Sequence, residues 1–167
     1  KDGAGTMQLN AANTYNGTTT INAGSVLYNI NNAIATGAVT VNGGILDIAT
    51  FTDAVGTVTL TNGSIDGTTG VLTGTSYAMQ NGSVSAILAG AVNLTKTTAG
   101  TVTLSGVNTY TGITAINAGV LSVSTIGNGG VAGNMGAATS TATNFVLGGG
   151  TLQYTGATAS TNRNYVF

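Results

Sequence analysis

A chain of 167 residues with only 4% charged side chains and a net charge of -1 gives nucleic acid and anionic membrane surfaces nothing to grip, so neither is expected as a partner. With 42% hydrophobic residues it is too apolar to stay disordered, and with no cysteine it builds neither a disulfide nor a thiolate metal site. Its 27 glycines, set among many Thr, Asn, Ser and Ala residues, suit turns and strands and starve helices of their usual formers, which points to an all-β chain.

The N-terminus, Lys1-Asp2-Gly3, carries no apolar signal-peptide stretch, and the sequence reads as a piece of a longer protein. Residues 5–24 then read GTMQLNAANTYNGTTTINAG, and most of this returns as GTVTLSGVNTYTGITAINAG in residues 100–119, at a constant offset of 95. Marking each glycine that follows a turn and precedes an alternating strand gives Gly5, Gly24, Gly44, Gly63, Gly82, Gly100, Gly119 and Gly150, with steps of 19, 20, 19, 19, 18, 19 and 31. The long repeat is thus five short ones, and a unit of about 19 residues is too small to bury a face alone, so the units must stack.

Strand alternation sets the faces. Positions two and four after the markers place Met7 and Leu9, Val26 and Tyr28, Leu46 and Ile48, Val102 and Leu104, Leu121 and Val123, and Leu152 and Tyr154 inward. Positions one and three, such as Thr101 and Thr103, face out. A second strand ahead of each glycine contributes Ile21, Val41, Leu60, Met79 and Ile116 to the interior. The expected fold is a single-stranded, right-handed parallel β-helix of about eight coils, one per unit, occupying residues 1–167 as one domain. The Asn-Gly pairs leave antiparallel hairpins as the alternative. The 31-residue step holds an excess that residues 126–140 (IGNGGVAGNMGAATS) supply, read as a low-complexity loop protruding from the stack.

The stretch GTVTLSGVNTYTGITAINAGVLSV resembles the passenger-associated repeat of bacterial autotransporters, with its Gly-Thr-Leu strand, Asn-Thr-Tyr-x-Gly turn and Thr-x-Ile-Asn-Ala-Gly segment. Residues 100–123 match it well and residues 5–27 nearly as well. The resemblance implies a parallel β-helix passenger, displayed on or released from a Gram-negative-type cell surface and followed by an outer-membrane barrel.

Few residues could carry chemistry. Asp47 and Asp66 stand at the third position after their markers in neighbouring units, which would set them side by side on the outer face as a carboxylate pair for weak cation binding or, as in β-helical pectinases, for acid and base work. With no His and no Glu the supporting groups are missing, so no catalytic residue and no cofactor is expected, and a solvated pair is the simpler reading. Thr20, Thr40 and Thr59 form an outward ladder that breaks at Ala78, Lys96 and Ala115, too short for an ice-binding face. Tyr15 and Tyr110, in the Asn-Thr-Tyr turns, are candidate glycan contacts or else turn anchors. The function expected is a structural and adhesive rod segment of a secreted or surface protein, meeting a glycan or a host or neighbour-cell surface. A polysaccharide lyase, hydrolase or carbohydrate-binding module is the alternative. Open coil ends, with apolar Tyr165-Val166-Phe167 at one of them, suggest end-to-end self-association.

Overall fold

The computed structural model describes all of residues 1–167. Period-two alternation places one apolar row per strand, and stacked units bury those rows against one another around a common axis. The first side of the solenoid carries Thr19–Ile21, residues 39–41 and 58–60, Tyr77–Met79, Leu94–Lys96, Thr114–Ile116 and Phe145–Val146, all parallel. The second side carries Thr6–Leu9, Ser25–Tyr28, residues 45–47 and 64–66, Gly82–Val84, Thr101–Leu104, Val120–Val123 and Thr151–Tyr154, again parallel. The third side has a short sheet of Thr52–Ala54, Val71–Thr73 and Ile87–Ala89 and is otherwise irregular. Every ladder is parallel, so the hairpin alternative is excluded. No helix is long and apolar enough to cross a membrane.

The interior is a set of columns. One runs Val26, Leu46, Ile65, Val84, Leu104 and Val123, each register partner of the next and each fully buried. Twenty-eight buried residues form one continuous core. Met7 and Tyr154, assigned inward, continue this column but are 41% and 37% exposed, because no further coil covers the two outermost strands. The outward positions Thr6, Thr101 and Thr103 are exposed as expected.

Three expectations are corrected. About six turns are present where about eight coils were expected: the first side carries seven strands, and six turns separate Thr19–Ile21 from Phe145–Val146. The segment 126–140 does not protrude: Gly133, Asn134, Met135, Gly136 and Ala138 are buried, and Asn108 bridges to Gly133. Arg163 holds the segment from outside by donating to the carbonyl oxygens of Gly127 (2.9 Å), Gly136 (2.7 Å) and Ala138 (3.4 Å).

The third correction concerns Lys96, which faces in, not out. The turn Thr97-Thr98-Ala99 that leads to Gly100 is one residue longer than the turns leading to Gly24, Gly44, Gly63, Gly82 and Gly119, and in a strand a one-residue change exchanges the two faces. Lys96 therefore occupies the column Ile21, Val41, Leu60, Met79, Lys96 and Ile116, fully buried, while Thr95 joins Thr20, Thr40, Thr59 and Ala78 outside.

Candidate functional site

Asp47 and Asp66 are register partners on the second side, so the expected pair forms. Each carboxylate is tied locally: Asp47 accepts from the Ala49 N–H at 2.9 Å and Asp66 from the Ser64 hydroxyl at 3.0 Å. No set of three or more acidic, His or Cys residues gathers anywhere in the chain.

The carboxylate that stands out is Asp53, which sequence reasoning passed over. It lies on the third side in register with Leu72, a column otherwise apolar at that level, and is only 3% exposed. Its Oδ2 accepts from the Ile34 N–H at 2.9 Å, while Oδ1 has no partner. The Tyr28 hydroxyl beside it is also buried and unpartnered. Burial pushes the Asp53 carboxyl above its ordinary range, against the opposing pull of the Ile34 N–H, and burial likewise raises Tyr28. Asp53 lines the single cavity of the molecule, about 330 Å³, whose wall also carries Asn13, Thr14, Asn16, Asn32 and Thr36. Asn32 sits there in the left-handed region, at φ 53°.

The same inward position is filled by neutral amides elsewhere. Asn108 Oδ1 accepts from the Leu88 N–H at 2.8 Å while its Nδ2 donates to the Asn134 carbonyl at 2.8 Å. Asn134 Oδ1 in turn accepts from the Ser124 and Thr125 N–H groups at 3.0 and 2.9 Å. Asp53 and Asn108 thus accept from the neighbouring coil in place of a regular ladder, and Asn134 donates from Nδ2 to the Gly106 carbonyl of the coil before it.

The two copies of the long repeat share their fastenings. Tyr15 shares a hydrogen bond with Thr19 at 2.6 Å, and Tyr110 with Thr114 at 2.9 Å. Tyr110 is fully buried against Tyr77, with ring centroids 6.1 Å apart, and burial pushes its hydroxyl up to about 12. It has no free face for a glycan, whereas Tyr15 is 42% exposed. Lys96 donates from Nζ to the carbonyls of Thr98 and Ala118 and to the Thr98 hydroxyl. Lys1, 95 residues earlier, donates to Gly3 and Ala23 in the same way. Gly24 and Gly119, with φ of 67° and 66°, pass directly over these ammonium groups, where a Cβ would strike backbone carbonyls.

These paired lysine corners and tyrosine turns are the parts that the sequence comparison isolates: a family model described as passenger-associated-transport-repeat matches residues 1–27 and 94–123. Two segments of the chain are thus similar to the passenger-associated-transport repeat. Across 99% of its length it is 33% identical, over 179 aligned residues, to the Adhesin BmaC autotransporter of Brucella suis biovar 1 (strain 1330). It spans only 5% of that relative's length. No solved structure matches it. The transport repeats therefore account for the first and sixth coils, while the coils between them keep the stack without the signature.

Proposed function

We propose that this chain is a rod segment of a secreted or surface-displayed adhesin-type passenger, spacing or presenting binding regions and catalysing nothing itself. The observation that carries this reading is the unbroken registered stack that resumes its own pattern after five coils, in a chain similar along its whole length to a small part of an autotransporter adhesin. Such a stack is extended by adding coils, and each unit contacts only its neighbours.

Gly24 and Gly119 occupy equivalent positions, so residues 24–118 can be inserted a second time in register. The duplicated chain is expected to keep its strand content and to lengthen by about 24 Å in solution scattering, from five coils at roughly 4.8 Å each. In the full-length protein, removing the same block should shorten reach while adhesion persists. A duplicated chain that unfolds, or adhesion lost with the block, would overturn the spacer reading. For display, the segment placed ahead of an outer-membrane barrel should be cleaved by protease added to intact cells.

A further inference from the structure

The cavity around Asp53 is unexplained by a spacer role. All three basic side chains of the molecule are committed elsewhere: Lys1 and Lys96 to corner carbonyls, Arg163 to the carbonyls of residues 127–138. Asp53 is therefore a nearly buried carboxylate with one oxygen unpartnered and no counter-ion, and it lines an open cavity. A buried charge without a partner is costly, and the largest relief comes from a ligand that brings the opposite charge.

The wall selects among cations. A divalent metal needs six or more oxygens, commonly from several carboxylates, and Asp53 is the only acid here. At about 330 Å³ the space exceeds that of a bare ion and sits at the small end of organic ligand sites. Ala12, Ile34, Ala35 and Ala54 supply apolar wall, while the amides and hydroxyls of Asn13, Asn32 and Thr36 supply acceptors. No aromatic ring lines it, so a sugar face has nothing to stack on.

We propose that this cavity binds a primary ammonium group on a short aliphatic stem, with Asp53 as its counter-ion and the alanine wall along the stem. The site lies where residues 12–16 of the first transport repeat meet the two coils that follow it, and the second repeat has no counterpart. In the second, residues 133–138 close over Asn108 and Tyr110, and no cavity remains. The proposal does not depend on the display reading, since a non-adhesive rod could carry the same site.

The test is a titration of the isotopically labelled 167-residue chain with n-butylammonium chloride, followed through the backbone amides of Asn13, Ile34, Asp53 and Ala54. Saturable shifts at neutral pH are expected, at least about tenfold weaker for Asp53→Asn, which removes the charge and keeps an acceptor for Ile34. Acidification that protonates Asp53 should release the probe. Ala35→Leu, which fills the cavity and leaves the carboxylate in place, should also block binding, so a misfolded Asp53→Asn would not shield the idea. An N-acetyl-lysine amide arm distinguishes a free alkylamine from a lysine side chain: equal binding of both means the stem can be attached at its far end. Equal shifts from uncharged n-butanol, unchanged binding by Asp53→Asn, or displacement of the amine by calcium chloride at equal concentration would each overturn the proposal.

Discussion

Asp53→Asn should stabilise the protein at neutral pH, which is an unusual outcome for a change in a buried hydrogen-bonded residue. The amide oxygen can keep the bond from the Ile34 N–H, as Asn108 keeps the equivalent bond from Leu88 at 2.8 Å. The new amide N–H₂ faces the unpartnered Tyr28 hydroxyl, which can accept from it. What is lost is one buried, uncompensated charge, and relieving such a group is worth about 1–3 kcal/mol. For a chain of this size that is roughly 2–12 °C in Tm. The pH dependence carries the sign. Because burial raises the folded-state value of Asp53, the native state holds the proton more tightly than the unfolded chain. Wild-type stability is then greatest below the ordinary carboxylate range, near 3.9, and falls as pH rises from there through the raised folded value. The variant lacks this slope, so its advantage should grow with pH and vanish in acid. Denaturant melts of both proteins from acid to neutral pH decide the matter: a less stable variant at neutral pH, or an advantage independent of pH, refutes the reasoning.

Other expectations follow from the register. Leu104→Asp should cost several kcal/mol and Thr103→Asp about 0.5 or less in thermal melts, since the first is buried in a column between Val84 and Val123 and the second is exposed. Polygalacturonate incubated with the protein, with and without Ca²⁺, should show no cleavage; turnover abolished by Asp66→Asn would give the Asp47 and Asp66 pair a catalytic role. The isolated 167-residue polypeptide exposes an edge strand at each end, at Thr6–Leu9 and Thr151–Tyr154, and Phe167 is 91% exposed. It should associate end to end with rising concentration, and charges placed at Tyr165 and Phe167 should suppress this in light scattering.

Much of the fold was legible because alternation by two is a strong signal wherever a strand has an apolar row, as at residues 101–104 and 120–123. The second side even tolerates a slip: Gly82 stands opposite Val102 instead of Gly100, but a shift of two leaves each face unchanged. The third side was not legible. Its strands are three residues long, too short to show a period, and beside Leu72 and Leu88 its inward positions include Asp53, Asn108 and Asn134, polar residues that a hydrophobic pattern discards. Lys96 was hidden by a single extra turn residue, and Tyr110 by residues 133–138, whose glycines and alanines carry no sign that they fold back. Asp53 could have been found by asking where the four acids fall, since it stands nine residues after Gly44 as Leu72 stands nine after Gly63.

The lysine corners bear on how such a rod would yield under tension. Its interstrand hydrogen bonds run along the axis, so a pull on the two ends would peel coils away singly, each releasing about 19 residues or roughly 65 Å of extended chain. At Lys96 the ammonium ties its own turn, through Thr98, to the next coil, through Ala118, and Lys1 does the same one repeat earlier. Charge-assisted bonds of this kind are about twice as strong as neutral ones. A single-molecule extension trace of a longer array should therefore show even steps interrupted by a higher peak every fifth coil, with Lys96→Met erasing one such peak. The extra turn residue that rotates a lysine into the core would then serve as a mechanical stop, limiting how far a local failure runs along the rod.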